Sequence, residues 1–192
     1  MQPNLKQPRI ADERPTTPSD YVPNHPIFYG AIAAIVAIAY TYTLYLSEPT
    51  YLISGYENFN WLVFFIMMIM VGVSLRAAQS DKFIEFKPLL NAMYKAFALA
   101  YILKYIFVYT LFKYIDPTLL DLVRDYGRKQ LIASRDPNWT DQMFQDVVAN
   151  YNNQPIPIFD FLGVAIHLVL GFIVAIILSF LLKRERPDWE QF

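Results

Sequence analysis

Four stretches of this chain stay apolar for the length of a membrane crossing, and polar runs separate them. Residues 27–46, IFYGAIAAIVAIAYTYTLYL, carry no charge. Residues 59–78, FNWLVFFIMMIMVGVSLRAA, carry only Arg76, near enough to one end for its stem to snorkel to water. Residues 89–115 follow Pro88, which suits the first turn of a helix, and residues 158–182 follow the QPIP run. About 20 apolar residues cross a hydrocarbon core of about 30 Å. The pattern predicts an all-α fold: a polytopic protein with four transmembrane helices in one membrane domain over residues 27–183.

The polar segments have their own signals. Residues 1–26 hold six prolines and mixed charges without an apolar core, so a polar tail is expected rather than a signal peptide. Residues 184–192 form a short second tail. Residues 116–157 are long enough for two amphipathic helices. Thr118 can cap one through Ala133, and Thr140 another through Tyr151 with Met143, Phe144, Val147, Val148 and Tyr151 on one face. Six aspartates are spread along this segment (Asp116, Asp121, Asp125, Asp136, Asp141 and Asp146), but at no metal-ligand spacing, so no metal or cofactor is expected.

Composition agrees with this pattern. The chain is 55% hydrophobic and 17% charged, against the usual quarter or so charged in soluble domains. A net charge of −1 with no basic stripe argues against a nucleic-acid partner. Basic residues orient the spans. Lys6, Arg9 and Arg14 precede the first; Arg76, Lys82 and Lys87 lie between the second and third; Lys183, Arg184 and Arg186 follow the fourth. The loop between the first two spans holds Glu48 and Glu57 but no Lys or Arg. Both termini are therefore expected in the cytoplasm, with residues 116–157 outside. Trp61 then suits the outer interface.

Spans in lipid associate where small residues let backbones approach. The fourth offers Gly163, His167, Gly171, Ala175 and Ser179 at four-residue steps. The third offers Ala92, Ala96 and Ala100, and the next step is Lys104. A charge at that depth costs about 2.5–3.5 kcal/mol on insertion scales. No acid lies in the central part of any span. Lys104 is thus expected to snorkel, to bond His167, Tyr101 or Tyr105, or to meet an acid or phosphate from another molecule. Tyr101, Lys104, Tyr105 and His167 form the candidate intramembrane polar site. Lys113 and Asp160, at equal depth on consecutive spans, form a candidate ion pair.

The segment FIEFKPLLNAMYKAFALAYILKYIFVYTLFKYIDPTLLDLV, with its Phe-rich re-entry and its Tyr114–Pro117 exit, resembles the core of the bacterial family called domain of unknown function 4199; the closing GFIVAIILSFLLKRE is similar too. The resemblance covers most of residues 27–186. It implies a small four-span protein of the inner membrane, from Bacteroidota, and implies no activity.

No nucleophile elbow, zinc-helix motif or glycine-rich phosphate loop is present, so no enzyme is expected. The leading expectation is a non-enzymatic accessory or scaffold subunit, with a membrane-protein partner or a second copy of itself. The alternative is a binder or carrier of an anionic lipid or polyprenyl phosphate, built on Lys104.

Overall fold

A computed structural model describes residues 25–79, 83–136, 138–153 and 161–184. The described residues form helices joined by turns. The elements are α1 (His25–Ser47), two 3-10 turns (Pro49–Leu52 and Tyr56–Phe59), α2 (Asn60–Ala78), α3 (Phe86–Thr110), α4 (Thr118–Ala133), α5 (Asp141–Asn153) and α6 (Phe161–Leu182). A wider π-helical turn, Leu111–Ile115, prolongs α3. Among the described residues four helices are long and apolar enough to cross a membrane: α1, α2 with the 3-10 turn before it, α3 with its π turn, and α6. The protein is a multi-pass, all-α membrane protein.

The bundle is packed small side inward. On α1, Ala33, Ala34, Ala37 and Thr41 are buried, whereas Ile35, Val36 and Leu46 are exposed. On α6, Ala175 and Ser179 are fully buried while Leu181 is 73% exposed. In water this arrangement would be inverted. In lipid the large apolar side chains meet acyl tails, and the small ones set how closely helices approach.

Helix α3 is central, packing on α1, α2 and α6. It runs parallel to α1: Gly30 lies against Ala96 at one end and Tyr42 against Phe107 at the other. Helices α2 and α6 run antiparallel to it. Gly72 faces Leu89 and Met93, while Trp61 stacks on Phe97; Phe180 meets Phe86, while His167 stacks on Tyr101. Buried Phe64, Met68 and Val71 of α2 and Leu89, Met93 and Phe97 of α3 fill the middle. At the end where α1 begins, Ile84 and Arg184 exchange two backbone hydrogen bonds of 3.0 and 3.1 Å, tying the start of α3 to the end of α6.

At the other end, Leu52, Leu111, Phe112 and Leu119 form a second apolar cluster joining the first loop, the π turn and α4. Thr140 caps α5, accepting from the Met143 amide at 3.2 Å. The cap of α4 differs from the expected Thr118. Pro117 holds the N-cap position, and Asp116 just before it accepts from the Thr118 amide at 3.2 Å and from the Thr118 and Tyr45 hydroxyls. Thr118 is already inside the helix, and its hydroxyl donates to Asp116 rather than capping the helix. Gly127 of α4 lies under the Tyr151 ring of α5, where a Cβ would sit 1.7 Å from the phenol oxygen.

Those bonds hold the Asp116 carboxyl below its ordinary value of 3.8, chiefly through the Thr118 hydroxyl and further through Tyr45 and the Thr118 amide, against partial desolvation. A depressed folded value means stability that is present above the ordinary value and lost as pH falls through the folded one. The start of α4 should therefore loosen in acid below about pH 4. Hydrogen exchange at Leu119–Asp121, corrected for intrinsic rate, should show that step in the native chain and not in Asp116→Asn.

Candidate functional site

The loop between α1 and α2 does not stay at the end of the bundle. Thr41 lies almost two turns before the end of α1, about 9 Å along its axis. Yet Thr41 donates to Glu57 Oε1 at 3.2 Å, and the neighbouring Tyr40 hydroxyl donates to the Tyr56 carbonyl at 3.0 Å. The Tyr40 ring also packs on Phe59, 5.5 Å between centroids. The chain therefore turns back into the bundle after α1. Gly55 permits the turn, at φ +97°. Non-helical backbone at membrane depth persists where it is buried in protein or lines a cavity, and here 3-10 turns keep it hydrogen-bonded.

The re-entry carries Glu57 to Lys104. The ammonium lies 2.7 Å from Oε1 and 2.8 Å from Oε2, so one donor group grips both carboxylate oxygens. Lys104 stands three turns before Ile115, about 16 Å along α3. Its side chain is 12% exposed and that of Glu57 25%. The acid that was missing from the spans thus comes from the loop, and Lys104 neither snorkels nor bonds directly to His167. Asn60 completes the grip from α2, donating through Nδ2 to Glu57 and to Thr41, each at 3.2 Å. Its Oδ1 is buried and has no donor.

His167 is fixed by a different set of contacts. Its Nδ1 lies 2.7 Å from the Gly163 carbonyl, which can only accept. Nδ1 therefore carries a proton and donates it to that carbonyl. The imidazole is stacked on Tyr101 (5.5 Å, 13°) and Trp61 (5.8 Å, 23°). Phe97 stacks on both Trp61 and Tyr101 in turn. Trp61, near the end of its span, is half-buried and joins His167 to Phe97 in this stack. Gly171 makes the stack possible, since a Cβ there would lie 1.9 Å from the Phe97 ring.

Between these groups is a partly open cavity of about 190 Å³, walled by Thr41, Glu57, Tyr101, Lys104, Tyr105 and His167, with apolar Leu52, Val108, Phe112 and Val164 beside them. The structure brings the four polar-site residues, Tyr101, Lys104, Tyr105 and His167, to this one space. Gly163 lines it too. Gly171, Ala175 and Ser179 lie buried on α6, and Ala92, Ala96 and Ala100 are buried on α3. Lys113 is elsewhere: it donates to the Tyr109 hydroxyl at 2.7 Å and sits over the Tyr109 and Tyr114 rings. Asp160, its expected partner, lies outside the described residues, as do 1–24 and 185–192. Among the described residues no three His, Asp or Glu side chains come together as a metal site.

Glu57 and Asn60 were missed by sequence reasoning. The signal available was local: a loop with two acids and no base leaves Glu57 without a neighbour of opposite charge, three residues before a buried span. No curated protein and no solved structure matches the chain. A family model does, over residues 28–184, from the start of α1 to the Arg184 bridge, and the family it describes is "Protein of unknown function (DUF4199)". The chain belongs to that family.

Proposed function

We propose that this protein binds an amphiphile non-enzymatically, with the polar head in the Lys104 cavity and the tail along the bundle. The observation that carries this reading is the cavity itself, which gathers an ammonium, a carboxylate, two phenols and an imidazole at membrane depth. Ionisable groups are kept there at a cost and mark ligand or ion sites by default. At about 30 Å³ per water, the space holds roughly six waters, so a head group fits and a whole drug-sized molecule does not. Helices α1 and α6 each pack on α2 and α3 rather than chiefly on each other, which leaves a flank for a tail.

The expected result is a lipid retained through purification in mild detergent and seen by native mass spectrometry. Gly163→Leu, which pushes a side chain into the cavity, should release it while the helices stay folded. Retention unchanged by Gly163→Leu would dispose of the cavity as the site.

The accessory-subunit reading has its own support in the α4–α5 hairpin, which leaves Ile132 and Met143 half exposed. A partner present in stoichiometric amount after mild solubilisation, and lost from Ile132→Ser/Met143→Ser, is its expected outcome.

We further propose that the membrane is a bacterial inner membrane, with both termini cytoplasmic. The chain has no cysteine, so single cysteines can be placed at Ser54 and Ser80. An impermeant thiol reagent outside intact cells should label Ser54→Cys and not Ser80→Cys. The reverse pattern overturns the orientation.

A further inference from the structure

We propose that the cavity is an anion site occupied by the protein's own Glu57, and that its ligand is a phosphate or carboxylate head group that takes over Lys104 by displacing that side chain. This rests on the amphiphile-binding reading and adds the ligand's charge and the means of entry. Three helices aim donors at one carboxylate: Thr41 from α1, Asn60 from α2 and Lys104 from α3. Such a convergent set fits any anion with two or three oxygens, because each donor meets an oxygen and none depends on the carbon behind it. Among the described residues Lys104 is the one lysine or arginine lining the cavity, and the phenols of Tyr101 and Tyr105 stand beside it.

Glu57 is suited to leave in a way the other groups are not. It comes from the short 3-10 turn that opens the second spanning segment, Tyr56–Ala78, at its very end, and that turn begins at a glycine in the left-handed region. Its side chain is twice as exposed as that of Lys104, 25% against 12%. Its neutral contacts are 3.2 Å long. Lys104 and His167, by contrast, are set on α3 and α6. An anion at Lys104 would release Glu57 with its turn toward the open end, and the tail would lie against Val108, Phe112 and Val164.

The test uses the full chain in nanodiscs of zwitterionic lipid, with dodecyl phosphate as probe, dodecyl maltoside as the neutral control and inorganic phosphate as the tail-less one. Dodecyl phosphate should bind the native protein. It should bind Glu57→Gln at least tenfold more tightly, because the internal competitor is gone and the isosteric amide keeps the Thr41 bond. Lys104→Gln should lose at least tenfold. Inorganic phosphate binding as tightly as dodecyl phosphate would assign the site to a free anion, and much weaker binding to a lipid head; either keeps the anion site. Equal or weaker binding to Glu57→Gln overturns the proposal. Equal affinity for dodecyl maltoside also overturns it, while leaving amphiphile binding intact; no binding of either detergent defeats both. If Glu57→Gln fails to fold, Ser54→Cys supplies the readout. Its labelling rate should rise several-fold on adding dodecyl phosphate and not dodecyl maltoside, and an unchanged rate overturns displacement of the turn.

Discussion

Replacing Glu57 by leucine should lower the unfolding free energy by about 3 kcal/mol, measured by steric trapping in bicelles. Lys104 would then hold a charge three turns inside the bundle with no other acid among the described residues that line the cavity. Breaking a buried pair from one side costs about 3–5 kcal/mol, and an unpaired charge near mid-membrane about 2.5–3.5 kcal/mol. The lower part of that range applies because both side chains keep some exposure, 12% and 25%. Lys104→Met should cost less, about 1–2 kcal/mol, because Glu57 retains Thr41 and Asn60 as donors and sits on a turn that can move toward water. The double variant Glu57→Leu/Lys104→Met should be more stable than Glu57→Leu alone, since a buried pair is often replaced by apolar groups at little cost. Strictly additive losses would mean that the two side chains do not depend on each other, and the ion pair would have no energetic content.

The same pair shows what the sequence made legible and what it did not. Spans are written in composition, because each must be apolar over its whole length, and all four stretches became helices. The boundary of the second carried less information. Trp61 looks like an interface residue when read along the chain, and Asn60 carries no signal at all. Asn60 is buried, and Trp61 packs on Phe97 and His167, where the loop before them turns back into the bundle. That turn depends on Tyr40, Thr41 and Gly55 meeting residues 56–60, a set of contacts no periodicity encodes. Lys104 was visible as an anomaly, since a lone charge in an apolar run needs a partner. The partner was hidden by an assumption that the acids between spans stay outside. His167 was visible as a polar residue on a small-residue stripe, but its Nδ1 bond to Gly163 and its stacking between Tyr101 and Trp61 arise only in the packed helices.

The small residues give the last large effect. Gly30 and Gly171 are both glycines on lipid-facing spans, but they do different jobs, and substitution by alanine should separate them. At Gly30 an added Cβ would lie 2.7 Å from the Ala96 carbonyl oxygen. That obstacle is backbone, so relief requires α1 and α3 to move apart along the run of Ala33, Ala34 and Ala37. At Gly171 the obstacle is the Phe97 ring at 1.9 Å, a side chain with no exposure and with Trp61, Phe64 and Tyr101 around it. Overpacking of this kind costs typically about 1–3 kcal/mol, and both variants should fall toward the upper end because neither obstacle has free space behind it. Their signatures differ. Gly171→Ala should disturb Trp61, read as a shift of its emission in a chain carrying Trp139→Phe and Trp189→Phe, and should weaken ligand retention. Gly30→Ala should lower stability with Trp61 emission unchanged. Shrinking the obstacle should rescue one and not the other: Phe97→Leu should restore most of the stability lost in Gly171→Ala and none of that lost in Gly30→Ala. If Phe97→Leu fails to relieve Gly171→Ala, the ring does not depend on that glycine, and the stacked support for His167 is not set by α6 in the way the geometry indicates.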